Sequence, residues 1–257
     1  MLKFSGYFDR TIKLLVWRIL ALSFLILPFS GCNLAPPDLN YEWSYSIIDH
    51  GTSSTPRFAD LNGDQVDDVV MGAGMLEHRQ ASHGVIALDG KSGELLWHVP
   101  SVDQMVGSAV FLDINHDQFS DVVIGGRTTQ LLAINGRNGD VIWRYEVNYT
   151  DPKAKFAAFN FYNAQILPDL DDDGVGDILI SNGGNVFAPP YSEESRKPGV
   201  LMVLSGANGQ TIALDTMPDG KETYFSPVLL DLPGYNEKTI IFGSGGETVS
   251  GHLYATT

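Results

Sequence analysis

A chain of 257 residues, 44% of them hydrophobic, is long enough to bury a sizeable core. Its 31 acidic residues against 16 basic ones leave a formal net charge of −15. That balance excludes nucleic acid as a partner, because no basic patch offsets the carboxylates, and it suits the binding of cations.

The first residues are kept apart from the fold. Lys3, Arg10, Lys13 and Arg18 make a positive segment, and the apolar run 19–29 follows it. That run is too short to cross a bilayer and has the length of a signal-peptide core. It ends in Phe29-Ser30-Gly31-Cys32, with Cys32 the only cysteine of the chain. This ending resembles a bacterial lipobox. The resemblance implies a signal peptide at 1–31, lipidation of Cys32, a lipid-attached tether at 32–40 and a stable membrane anchor. Asn33 after the cysteine implies, by the same resemblance, the bacterial cell envelope and its outer membrane. A single cysteine leaves the folded part, 41–257, without a disulfide.

The fold is expected to open with a strand at 41–48 that carries Trp43. Strands then follow at 54–61, 68–73, 84–89 and 94–99, and again at 107–114, 121–126, 130–135 and 140–147. A third cycle covers 161–170, 177–183, 199–205 and 210–216, and a partial one covers 225–232, 238–243 and 251–255. Four short strands per unit, joined by Gly, Asn and Asp turns, make the blade of an all-β propeller. The expectation is three full blades plus one split or partial blade. Two readings stay open: a four-bladed ring closed by pairing 41–48 with the last strands, or the front of a six- to eight-bladed propeller.

Each unit begins with an acidic loop that runs into a Val/Ile segment ending in glycine. In the first loop Asp60, Asn62, Asp64 and Asp68 stand at positions 1, 3, 5 and 9, with Val66 at position 7. The second places Asp113, Asn115, Asp117, Phe119 and Asp121 in the same way, and the third Asp169, Asp171, Asp173, Val175 and Asp177. Alternate side chains of a tight loop can converge on one hard cation, and the carbonyl at position 7 adds an oxygen. Oxygen-only donors select Ca²⁺ over zinc or copper. An EF-hand is excluded, since position 12 is Met71, Ile124 or Ile180 rather than Glu and a strand follows instead of a helix. Position 6 favours a left-handed conformation; it is Gly174 in the third loop but Gln65 and Gln118 in the others. A fourth copy keeps only Asp231 among its ligand positions, so no metal is expected there.

The loop pattern, with its trailing strand and glycines, resembles the FG-GAP calcium loop of integrin-α propellers. The stretch 87–97, ending in Trp97, resembles the tryptophan-docking repeat of quinoprotein-type (PQQ-like) propellers, and 133–143, ending in Trp143, is a second copy. In a third copy, 203–213, Ala213 replaces the tryptophan. The resemblance implies that Trp97 and Trp143 pack between blades, and Trp43 aligns with them.

No GxSxG, HExxH or P-loop motif occurs, and His50, His78, His83, His98, His116 and His252 are scattered along the chain. Insertions at 148–160 and 185–198 carry aromatic and basic residues, and long loops on a rigid scaffold are where binding resides. The functional expectation is a calcium-stabilised, membrane-anchored, non-enzymatic propeller whose insertions meet a protein or glycan partner at the cell envelope. The alternative is a fragment of a quinoprotein-like or polysaccharide-acting enzyme with its catalytic blades beyond residue 257.

Overall fold

The computed structural model describes residues 42–47, 50–234 and 237–257. Cys32 and the segments assigned to the signal peptide and tether lie outside the described residues. Four antiparallel sheets follow one another along the chain as blades of a β-propeller. The first pairs β1 (Arg57–Ala59), β2 (Asp68–Gly72), β3 (Ala81–Leu88) and β4 (Leu95–Ser101) in sequence order. The second repeats this with β5 (Val110–Leu112), β6 (Asp121–Gly125), β7 (Leu131–Ile134) and β8 (Val141–Arg144).

In the third blade the expected first strand is split. β9 (Asn160–Phe161) and β10 (Gln165–Ile166) pair separately with β11 (Ile178–Gly183), which continues to β12 (Val200–Leu204) and β13 (Thr211–Thr216). The last sheet has β14 (Val228–Leu230), β15 (Thr239–Gly243) and β16 (Leu253–Thr256).

Why these segments are strands is clearest in the second blade, whose two middle strands are buried throughout. Val122, Ile124, Leu132 and Ile134 face the first blade, packing with Val70, Val85, Ala87 and Trp97. Val123, Leu131 and Ala133 face the third blade, packing with Ile178, Ile180, Val200 and Met202. Successive side chains of a strand point to opposite faces, so a strand between two neighbours must be apolar on both. In each of the first three blades the hairpin between the last two strands carries a register shift at the same place: Ala87/Leu88, Ala133/Ile134 and Val203/Leu204.

A polar chain stitches one blade entry to the next. The Thr55 N–H donates to Ser108 Oγ (3.1 Å), the Ser108 N–H to Asn163 Oδ1 (2.6 Å), and the Asn163 N–H to Ser226 Oγ (3.1 Å). These bonds satisfy backbone donors that no β-ladder reaches. They also explain the split strand, since Asn163 serves this chain between β9 and β10.

One expectation fails here. In the described part of the strand expected at 41–48, residues 42–47 form no strand, and among the described residues β16 pairs with β15 alone. What holds this stretch is the indole of Trp43, which donates to the Gly90 carbonyl at 2.9 Å in place of a β-ladder.

Candidate functional site

The three acidic loops share one backbone conformation. Position 6 is left-handed in each, with φ of 69° at Gln65, 71° at Gln118 and 92° at Gly174. Position 4 is left-handed too, at Gly63, His116 and Asp172. The first aspartate ties the turn together. Asp60 accepts the N–H groups of Gly63 (2.7 Å) and Gln65 (2.9 Å), Asp113 those of Asp117 and Gln118 (both 3.0 Å), and Asp169 those of Asp173 (3.2 Å) and Gly174 (2.8 Å). Position 5 closes the next step, as Asp64, Asp117 and Asp173 each accept the position 7 N–H at 2.9 Å, from Val66, Phe119 and Val175. Asx-type bonding of this kind holds a turn without requiring an ion.

The position 9 aspartates have a different place. Asp68, Asp121 and Asp177 are 0%, 1% and 0% exposed. One oxygen of each accepts the N–H at position 2 of its own loop, from Leu61, Ile114 or Leu170, at 2.8–2.9 Å. The other accepts the N–H of a glycine in the turn before the last strand of the same blade: Gly90 (3.0 Å), Gly136 (3.1 Å) and Gly206 (3.4 Å). The carbonyl of that glycine in turn accepts the indole Nε1–H of the preceding tryptophan: Trp43 (2.9 Å), Trp97 (2.6 Å) and Trp143 (2.9 Å). A Cβ on any of these glycines would lie 1.9–2.0 Å from a backbone carbonyl oxygen, so no side chain fits there. The indole ring lies over a second turn glycine, Gly93, Gly139 or Gly209, each with φ between 72° and 79°. Two motifs that stand apart in the sequence thus form one seam, from buried carboxylate to glycine to indole.

Burial holds the Asp68 and Asp121 carboxyls above the ordinary aspartate range, against the opposite pull of the N–H bonds they accept. At Asp169 the Gly174 N–H bond dominates and lowers the carboxyl. Asp171 is raised, first by desolvation and then by the charges of Asp173 and Asp177.

The three loops differ in their fit to a cation. Oxygens of Asp169, Asp171 and Asp177 lie within 4.8 Å of one another, the one such carboxylate group among the described residues. In the other two loops position 3 is an asparagine, which removes one of those three charges. Asn62 Nδ2 donates to Asp89 Oδ2 (2.9 Å) and approaches Asp68 Oδ1 (3.5 Å), so an amide takes up the space between two carboxylates. Asn115 Nδ2 reaches Asp117 Oδ2 at 3.4 Å. The donor set of the third loop therefore suits a hard divalent cation best. In the degenerate fourth copy Asp231 is paired with Lys238 (3.0 Å).

Other singled-out residues are redistributed. Phe161 is fully buried and Phe156 packs on the core, whereas Tyr149, Phe187 and Tyr191 are 77%, 81% and 82% exposed. Arg196 is not displayed to solvent: it forms a buried ion pair with Glu222 and bonds Thr248 Oγ1 (3.2 Å). The 185–198 insertion is thereby pinned to the last sheet, and Phe187 stacks on His78 of the first blade at 5.0 Å. Three histidines scattered in the sequence meet on the first blade, with His83 stacked on His98 (4.0 Å) and edge-on to His50 (5.4 Å). The register pairs His98 with Ile86, so plain strand alternation would have set His83 on the opposite face; the strands shift register between Ala81 and Val85, and nothing local announced His50.

A family model described as FAM234A/B beta-propeller matches residues 60–230, from the first acidic loop to β14. The chain belongs to that family. Protein FAM234B of Homo sapiens is 26% identical over 155 residues, covering 56% of this chain and 24% of that protein. FAM234B of Mus musculus is 25% identical over 184 residues (66% and 28%), and that of Gallus gallus 24% over 219 residues (81% and 32%). The chain thus spans less than a third of these FAM234 relatives. Two solved structures are similar at 14% identity. BamB from Moraxella catarrhalis has TM-score 0.43 over 71% of this chain and 42% of that one. The quinohemoprotein alcohol dehydrogenase from Comamonas testosteroni has TM-score 0.45 over 73% and 34%. The FAM234B relatives are animal proteins, which points to a eukaryotic chain and overturns the bacterial envelope and outer-membrane placement expected above. That expectation rested on the N-terminal basic segment, the apolar run 19–29, the ending Phe29 to Cys32 and, for the outer membrane, on Asn33 alone.

Proposed function

We propose that this chain is a non-enzymatic β-propeller module, stapled by Ca²⁺ at its acidic loops, which holds exposed loops for a protein or glycan partner. The observation that carries the reading is the convergence of Asp169, Asp171 and Asp177 in a loop whose backbone is already folded by its own carboxylates. Asp169, Asp171, Asp173 and Asp177, with the Val175 carbonyl, would hold the ion, in the spacing of the FG-GAP loop. The ion would supply charge neutralisation, relieving the mutual repulsion of the third loop's carboxylates. The carboxylates with meaningful spacing are engaged by backbone N–H groups of the scaffold, which favours a structural role for them over proton transfer. The exposed rings of Tyr149, Phe187 and Tyr191 are the side chains offered to a partner.

Thermal melts of the full chain in millimolar Ca²⁺ and in EGTA test the staple. A site of the weak extracellular class adds roughly 1–2 kcal/mol under those conditions, which moves the midpoint by a few degrees. A cooperative melt with the same midpoint in both buffers would falsify it.

A further inference from the structure

Outside the acidic loops, a groove of about 940 Å³ lies between the first and second blades. Its floor includes Ser101 and Gln130, whose polar atoms are already bonded to the Asp103 carbonyl and the Val102 N–H. Recognition there falls to the rim. Met75, Leu76 and Val102 contribute apolar side chains that are 52%, 44% and 53% exposed. Arg79 and Arg144 contribute two guanidiniums, and among the described residues neither is paired with a carboxylate.

The charge of this groove runs against the rest of the molecule. Acidic residues outnumber basic ones 31 to 16 in the chain, yet no Asp or Glu lines the groove. Exposed apolar area flanked by unpaired guanidiniums complements a ligand that offers apolar side chains and carboxylates together. The net charge of −15 repels an extended polyanion such as nucleic acid, whereas a short segment meets only the local positive rim.

We propose that this groove is a docking site for an acidic peptide segment of a partner protein, with Leu-type side chains against Met75, Leu76 and Val102 and carboxylates on Arg79 and Arg144. The proposal is independent of the calcium loops and of the partner reading at Tyr149, Phe187 and Tyr191.

The test is fluorescence anisotropy of the full chain with a short fluorescein-labelled peptide of alternating Glu and Leu. Saturable binding is expected, weakening with salt and falling about tenfold or more in the double variant Arg79→Gln/Arg144→Gln, since both charge-assisted bonds to the peptide carboxylates are lost. A thermal melt establishes that the variant is folded; if it is not, Val102→Glu, on the exposed rim, replaces it and is expected to repel the same peptide. Four outcomes overturn the proposal. They are absence of saturable binding, equal binding by the folded variant, equal binding of a Lys–Leu peptide, and binding to phosphatidylserine vesicles without binding to the peptide. The last would assign the groove to a membrane surface instead.

Discussion

Trp97 of the first blade donates its indole N–H to the carbonyl of Gly136 in the second at 2.6 Å, and Gly136 donates its own N–H to the buried carboxylate of Asp121. The contact is buried on both sides, so removing the donor leaves a carbonyl with no access to water. Trp97→Phe keeps most of the ring and loses the bond. Urea unfolding should show a loss of about 1–3 kcal/mol, set by the desolvated carbonyl.

Asp121→Asn separates scaffold from metal. If this carboxylate served only a cation, the substitution would be silent in EGTA. Because it accepts N–H groups from Ile114, Asn115 and Gly136, the amide that replaces it presents a donor to donors. A destabilisation of about 1–3 kcal/mol is expected in EGTA as well as in Ca²⁺.

Asp171→Asn is the complementary experiment. Asp171 is exposed, and its carboxyl is raised first by desolvation within the loop and then by the nearby charges of Asp173 and Asp177. Removing its charge should leave stability in EGTA unchanged or slightly higher and should shrink the midpoint shift caused by Ca²⁺. Making the third loop asparagine-bearing, like the first two, should also bring its apparent affinity down by about tenfold.

The histidine cluster predicts a pH dependence. Desolvation and the neighbouring His98 and His50 hold the His83 imidazole below its ordinary value of 6.5. The unfolded chain therefore takes up the proton first as pH falls. Stability from this group is complete above about pH 6.5 and declines as pH drops toward the lowered folded value. Melts between about pH 7.5 and 5.5 should show a steeper loss for the native chain than for His83→Gln, with a difference of at most about 1.4 kcal/mol per pH unit.

Arg196→Ala should cost about 3–5 kcal/mol, because Glu222 is then left buried and unpaired. Arg196→Met with Glu222→Gln should recover part of that loss. Limited proteolysis within 185–198 should rise in the single variant and fall back in the double one, since Arg196 pins that insertion to Glu222 and Thr248.

Much of the architecture was legible because it is local. The short Val/Ile runs in 68–73 and 121–126, the turn residues and the repeated acidic loops announced the blades, and the left-handed need at position 6 is met even by Gln65 and Gln118. What could not be read is long-range pairing at variable separation. Asp68, Asp121 and Asp177 meet glycines 22, 15 and 29 residues away, so no fixed spacing links carboxylate to turn. The same applies to Asn163, whose spacing to Ser108 and Ser226 is 55 and 63 residues, and to Arg196, whose aliphatic and charged parts look on paper like a solvent-facing side chain. Trp43 was aligned correctly with Trp97 and Trp143, but the strand expected around it is replaced by a single indole bond.

The direction of the seam sets an order in time. Each indole is made before its acceptor: Trp43 precedes Gly90 by 47 residues, Trp97 precedes Gly136 by 39, and Trp143 precedes Gly206 by 63. At a synthesis rate of about 5–20 residues per second, each finished blade holds out an unmatched ring for roughly 2 to 13 seconds until the next turn emerges. Growth of the propeller is therefore templated forward, each blade presenting the anchor on which its successor is laid, and a chain halted between blades would expose one tryptophan as its sticky end.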